Sequence, residues 1–286
     1  MPHPPRPAVR PRRLPSAGAW ALAMGAVVGT ARPAAGQLSV DRSEIFIRPS
    51  VAAERVGLIT VRNVTNQPVQ GVIRTEDWDR SDDGSNRWFP VGTVRGSCGR
   101  ALTIFPLSVN LNPGASQSIR LVLDSAAAAA MKQECWSAVM VETAQPPATG
   151  RGVGYVIRTA VKVYVQPEGL TAGGEVTGVR VVRATAAGAS DSVEVWFRNA
   201  GQRHYIAKGT VEFRRPDNSV AASLTLPEYY VLPGARQRAA VALPPLAPGR
   251  YVALAMVDYG GDEVAAMQIE HAVPATTSAA APRGGR

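Results

Sequence analysis

The stretch Val153–Pro167, VGYVIRTAVKVYVQP, decides how the rest of the chain is read. Its β-branched and aromatic residues alternate with a period of two, so Val153, Tyr155, Ile157, Thr159 and Val161 fall on one face of a strand. Val156, Arg158, Ala160, Lys162 and Tyr164 fall on the other. Lys162 is a lone lysine among apolar neighbours, and a solvated strand face is the ordinary setting for such a residue. If the strand lies at a sheet edge, its apolar row runs beside unpaired backbone groups. Another chain could then pair against it.

The rest of the sequence supports an all-β reading. From Leu38 onward, short β-branched runs are separated by turn residues such as Asp82-Asp83-Gly84 and Asn112-Pro113-Gly114. Only SAAAAAMKQE (Ser125–Glu134) has helical character. Seven runs between Glu44 and Val165 suit an immunoglobulin-like sandwich over residues 37–167. After the linker-like EGLTAGGE (Glu168–Glu175), a second series from Val176 to His271 predicts a sandwich of similar size over residues 168–274. The tail 275–286, rich in Ala, Thr and Gly, reads as disordered.

The formal net charge of +9 over 286 residues misleads, because five of those charges are Arg6, Arg10, Arg12, Arg13 and Arg32 in a segment without acids. Arg283 and Arg286 lie in the tail. The folded body is near balance, so nucleic-acid binding has little electrostatic support. The first 36 residues carry a basic region, the apolar run AGAWALAMGAVVG and small residues before Gln37, which is the layout of a signal peptide. Pro15 close behind Arg12-Arg13 favours an ordinary basic region over a twin-arginine signal. No later run reaches the roughly 20 apolar residues of a membrane helix, so membrane insertion is not expected. In an exported protein, the two cysteines Cys98 and Cys135 predict a structural disulfide. Two distant cysteines without histidine nearby do not make a metal site.

Catalytic patterns are missing from the sequence. His204 and His271 are the histidines left after the leader, and neither sits in a recognisable motif. There is no HExxH, P-loop or GxGxxG, so neither cofactor nor metal is expected and the protein does not read as an enzyme. Asp77, Asp79, Asp82 and Asp83 are the one acidic group, better read as a hairpin than as a calcium loop. Trp78, Trp88, Trp136 and Trp196 could stack on carbohydrate but suit sandwich packing better. Asn63-Val64-Thr65 matches a glycosylation sequon, which carries no weight alone.

Taken in order, GLITVRN (Gly57–Asn63), FPLSVNLNPGASQSIRLVL (Phe105–Leu123), CWSAVMVETAQPP (Cys135–Pro147) and VIRTAVKVYVQP (Val156–Pro167) resemble the periplasmic pilus chaperones, the PapD-like family. FRNAGQRHYIAKGTVEF (Phe197–Phe213) and AMVDYGG (Ala255–Gly261) extend the resemblance over nearly the whole mature chain. It implies two immunoglobulin-like β-sandwich domains in a boomerang arrangement and a place in the periplasm. It also implies donor-strand complementation, in which a strand is lent to a pilus or fimbrial subunit whose own sandwich leaves a hydrophobic groove exposed. An outer-membrane usher is a further candidate partner.

The resemblance maps the donor row onto Val153, Tyr155 and Ile157, and the lysine that binds the subunit's terminal carboxylate onto Lys162. The family's second anchor is an arginine on the first strand, where this chain has Glu44. Either Arg42 takes its place, or Glu44 pairs with Lys162 and weakens the resemblance. The rival reading is an exported structural or adhesive protein that uses its two sandwiches as spacers.

Overall fold

The computed structural model describes residues 37–145, 153–186 and 188–275. The leader expected over residues 1–36, the Pro146-Pro147 turn and residues 276–286 of the expected tail lie outside the described residues.

The first sandwich is built from β1 (Leu38–Val40), β2 (Glu44–Ile47), β3 (Val56–Asn63), β4 (Val69–Arg80), β5 (Asn86–Phe89), β6 (Leu102–Phe105), β7 (Ser108–Leu111), β8 (Ser116–Leu123), β9 (Cys135–Gln145) and β10 (Tyr155–Val165). One sheet has the order β1-β3-β8-β6; the other runs β2-β10-β9-β4-β5, with β7 also on β4. Period-2 alternation sends one row of each strand inward. Ile47, Ile59, Val61, Ile119, Leu121, Val139, Val161, Val163 and Val165 are therefore fully or almost fully buried. Each such side chain contributes about 1.5–3 kcal/mol. The alanine-rich segment forms one short helix, α1 (Ser125–Ala130), capped by the Asp124 carboxylate on the Ala127 amide at 2.8 Å.

The second sandwich comprises β11 (Gly174–Val182), β12 (Ser192–Asn199), β13 (Tyr205–Arg214), β14 (Val220–Thr225), β15 (Tyr229–Val231), β16 (Arg236–Ala242), β17 (Gly249–Asp258) and β18 (Val264–Val273). Its sheets run β11-β12-β16 and β14-β13-β17-β18, with β15 on β13, around a separate core that includes Val195, Phe197, Val211 and Phe213. Nearly all regular structure is β, in two sandwiches.

The two sandwiches use asparagine in the same way. Fully buried Asn63, at the end of β3, donates to the Gln67 and Leu111 carbonyls and accepts from Thr65. Asn199, at the end of β12, donates to the Arg203 and Val231 carbonyls and accepts from the Gly201 amide. Both stitch a loop to a neighbouring strand, which satisfies buried backbone groups. The sequon asparagine is thus consumed by the fold.

The acidic group also separates into individual roles. Fully buried Asp77 accepts from the Gly92, Thr93 and Val94 amides and from the Ser97 hydroxyl. Asp79 pairs with Arg87 at 2.7 Å, Asp82 with Arg236 at 2.8 Å, and Asp83 caps its own turn at the Ser85 amide. No group of His, Cys, Asp and Glu suited to a metal ion occurs among the described residues. Among them, no helix is long and apolar enough to cross a membrane.

The expected disulfide is not present in the structure. Cys98 and Cys135 are both free and buried. They are neighbours, because Cys98 N–H donates to the Trp136 carbonyl at 3.2 Å. The Cys98 thiol is pushed far above the ordinary thiol range, first by its hydrogen bond with Cys135 and then by burial.

Candidate functional site

Strand β10 is paired along its whole length on one side only. Antiparallel β9 covers it from Tyr155 to Val165, whereas parallel β2 reaches only Lys162 to Val165. Over Tyr155–Val161 the second edge is open among the described residues. The amides of Lys162 and Gln166 donate toward the β2 side, to the Ser43 and Ile47 carbonyls at 2.9 Å each. By the same alternation, Val156, Arg158 and Ala160 direct their N–H and C=O groups at the open edge.

The row expected to meet a partner continues the core-facing row. Val161, Val163 and Val165 are fully buried, and the same face then emerges through half-buried Ile157 and exposed Tyr155 to Val153, which is 89% exposed. The apolar row thus runs off the end of its own core onto the surface.

The opposite face carries the cations. Arg158 is satisfied by Glu142 at 2.7 Å and by Glu76, and Arg74 also pairs with Glu142. Lys162 receives no such partner: no ion pair involves it among the described residues. Its ammonium instead lies 4.5 Å from the ring centroid of Trp78 and 4.8 Å from that of Tyr230, a residue of the second sandwich. The lysine is half-buried at the crevice between the sandwiches.

Burial is the first cause that lowers the Lys162 pKa below 10.5; the charge of Arg80 adds to this and that of Glu44 opposes it. Below the lowered value the charged lysine costs stability, and the cost fades as the pH rises through it. An arriving anion would remove that cost by pairing with the ammonium.

Glu44 and Lys162 are register neighbours across the β2–β10 pair, but no ion pair joins them; Glu44 accepts from the Tyr230 hydroxyl at 3.4 Å. Arg42 lies just before β2 and spends its guanidinium on Asp41 at 2.9 Å, with about half of its side chain exposed. The structure therefore brings Lys162 and Glu44 together and leaves Arg42 paired elsewhere. The cation that does share the Lys162 environment is Arg80, 4.8 Å from the same Tyr230 ring. Arg80 comes from a strand two places away, so no spacing in the sequence points to it.

A buried cluster fixes the geometry around the lysine. Trp78, Trp136, Ala138 and Tyr164 of the first sandwich pack on Leu232 of the second. The indole N–H of Trp78 donates to the Ser137 carbonyl at 3.0 Å, and that of Trp136 to the Trp78 carbonyl at 2.8 Å. These tryptophans are therefore core. Tyr164 and Tyr230 are hydrogen-bonded through their hydroxyls. Glu134, fully buried, takes the His204 ring at 2.5 Å, the His204 amide at 3.0 Å and the Gln166 amide group at 2.9 Å. The His204 imidazole stacks on Tyr164 at 4.1 Å.

On the far side, the β4–β5 hairpin tip grips β16: the Arg238 amide donates to the Asp82 carbonyl at 2.6 Å. Gly84 at that tip has φ +85°, a conformation that favours glycine, and a β-carbon there would displace the end of the Gln237 side chain.

The fold and site define a two-sandwich, all-β protein with an open strand edge that ends at a half-buried ammonium. No model of a known protein family matches the sequence, and no curated protein sequence matches it. In fold the chain is similar to solved structures of fimbrial chaperones. One is from a chaperone–tip adhesin complex of CFA/I fimbriae biogenesis, with 14% identity over 84% of this chain and 100% of that one, at a TM-score of 0.47. Another is from the CsuC–CsuE chaperone–tip adhesion subunit pre-assembly complex of Acinetobacter baumannii, with 10% identity over 82% and 98%, at 0.45. A third is the E. coli chaperone DraB, with 15% identity over 82% and 98%, at 0.42.

Proposed function

We propose that the protein is a periplasmic chaperone that captures pilus-type subunits by donor-strand complementation along the Tyr155–Val161 edge. The observation that carries this reading is the coincidence of three features on one strand: an open edge, an apolar row running past its own core, and an unpaired ammonium where β2 closes the edge. The open segment is about 20 Å long at about 3.3 Å per residue. A guest strand lying there in line with β2 would run parallel to β10 and end at Lys162. Backbone groups of Val156, Arg158 and Ala160 would pair with it, while Val153, Tyr155 and Ile157 would cover the gap in the guest's core. The Lys162 ammonium, with three donors, would bind the terminal carboxylate and set the register. The sandwich junction built on Glu134, His204 and Tyr164 would hold that ammonium in place. No chemical step, nucleotide or metal enters this reading.

The test is pull-down of a pilus-type subunit co-expressed from a neighbouring gene. Lys162→Ala is expected to weaken capture by at least about thirtyfold, since truncating one partner of a buried charge pair costs about 2–5 kcal/mol. A subunit ending in an amide should lose the same amount with the wild type and nothing further with Lys162→Ala. If Lys162→Ala captures the natural subunit as well as the wild type does, the anchor is elsewhere. The rival spacer role requires no client, and a stable one-to-one complex with the subunit counts against it.

Export to an oxidising compartment would also close the Cys98–Cys135 pair, at a gain of about 3–4 kcal/mol in the chain-entropy model. Intact mass spectrometry of protein secreted to the periplasm should then give a mass two hydrogens below the reduced value. A mass that does not change on reduction would refute the bond.

A further inference from the structure

A second cleft between the sandwiches, of about 880 Å³, is left out of the function proposed above. That volume lies within the range of about 300–1,000 Å³ typical of ligand sites. Five arginines and two aspartates line it, on walls from both sandwiches. The aspartates are already spent, Asp79 on Arg87 and Asp82 on Arg236, and Arg198 pairs with Glu175. Arg80 donates to the Gly84 carbonyl. Arg95 has no hydrogen-bond or ion-pair partner among the described residues. It nonetheless stands on a fixed loop, because buried Asp77 holds the three amides just before it and the Ser97 hydroxyl just after it. The cleft also has apolar lining from Trp136, Leu232 and Phe89.

We infer that this cleft binds an acidic peptide segment bearing an apolar side chain. The excess of arginine calls for an anion, and planar guanidinium groups suit carboxylates. The apolar lining favours a ligand with a side chain to bury. A phosphate polymer would bring no apolar side chain to Trp136, Leu232 and Phe89. Lys162, which reads a chain terminus, is not among the residues that line this cleft, although Arg80 borders both.

The probe is the hexapeptide Asp-Glu-Asp-Leu-Asp-Glu, acetylated and amidated so that it has no terminal charge, titrated by calorimetry into the exported protein. Binding is expected for this peptide, with an affinity that falls as salt rises. The Asn/Gln version should bind at least about tenfold more weakly. Arg95→Glu should cost at least about tenfold and Arg95→Gln less, with thermal unfolding unchanged in both. Lys162→Ala should leave the affinity as it is. Equal binding of the neutral peptide, or no effect of either Arg95 variant, overturns the inference. So does a Lys162→Ala variant that also loses the peptide, because the cleft would then not be a separate site. Displacement by inorganic phosphate or by oligothymidylate at equal charge would assign the cleft to anions in general and overturn the peptide assignment.

Discussion

Tyr155→Asp combined with Ile157→Asp is expected to abolish capture of a co-expressed subunit while leaving the free protein folded. In the free protein Tyr155 is 52% exposed and Ile157 only half-buried, so two carboxylates there remain largely hydrated. Substitutions at such sites usually change stability by about 0.5 kcal/mol or less. In the complex the same side chains would face the apolar gap of the guest. Each buried, unpaired carboxylate then costs several kcal/mol, and the apolar contact is lost as well. The two effects together exceed what a micromolar complex can lose and still be recovered by pull-down. Val220→Asp, on an exposed position of the second sandwich, should capture normally. Undiminished capture by the double variant, measured beside its thermal unfolding, would remove the apolar row from the mechanism.

The second large effect concerns the junction. His204→Ala removes the ring that faces the fully buried Glu134 carboxylate and leaves it with only the Gln166 side chain and one backbone amide. Stranding a buried charge in this way costs about 3–5 kcal/mol. The ring's stacking on Tyr164 is lost with it. Chemical denaturation should show a lower midpoint, and near-ultraviolet circular dichroism of the folded protein should report a loosened Trp78–Trp136–Tyr164 cluster. Capture should weaken too, because Lys162 is positioned against Tyr230 across this junction. A variant as stable as the wild type would mean that Glu134 needs no partner there.

Strand β10 was legible because alternation over eleven residues is a strong local signal, and it begins within two residues of its expected start. Strands β3 and β12, of eight residues each, carry the same kind of signal. Short strands such as β1, β5 and β7, of three or four residues each, carry too little periodicity to register. The lysine's identity was legible; its neighbours were not. Tyr230 and His204 meet Lys162 or its supporting cluster only through the packing of one sandwich on the other, and Arg80 only through the order of strands in its sheet; neither leaves a regular spacing in the chain. His204 illustrates the point: outside any motif it looks featureless, yet it closes a polar contact with fully buried Glu134 across the sandwiches. The acidic Asp77–Asp83 group misleads in the opposite sense, since residues adjacent in sequence serve a loop, a strand pair and the junction separately.

In the reading proposed above, the open edge of β10 receives a guest strand whose end lies at Lys162. Residue-resolved hydrogen exchange addresses it most directly, at the amides of Val156, Arg158 and Ala160, with and without bound subunit. In the free protein these three should exchange quickly while those of Ile157 and Thr159, paired to β9, are protected; on binding, all three should become protected and the Lys162 amide, already bonded to Ser43, should change little. If a subunit binds and those three amides continue to exchange as in the free protein, the guest is held elsewhere and the donor-strand mechanism is contradicted.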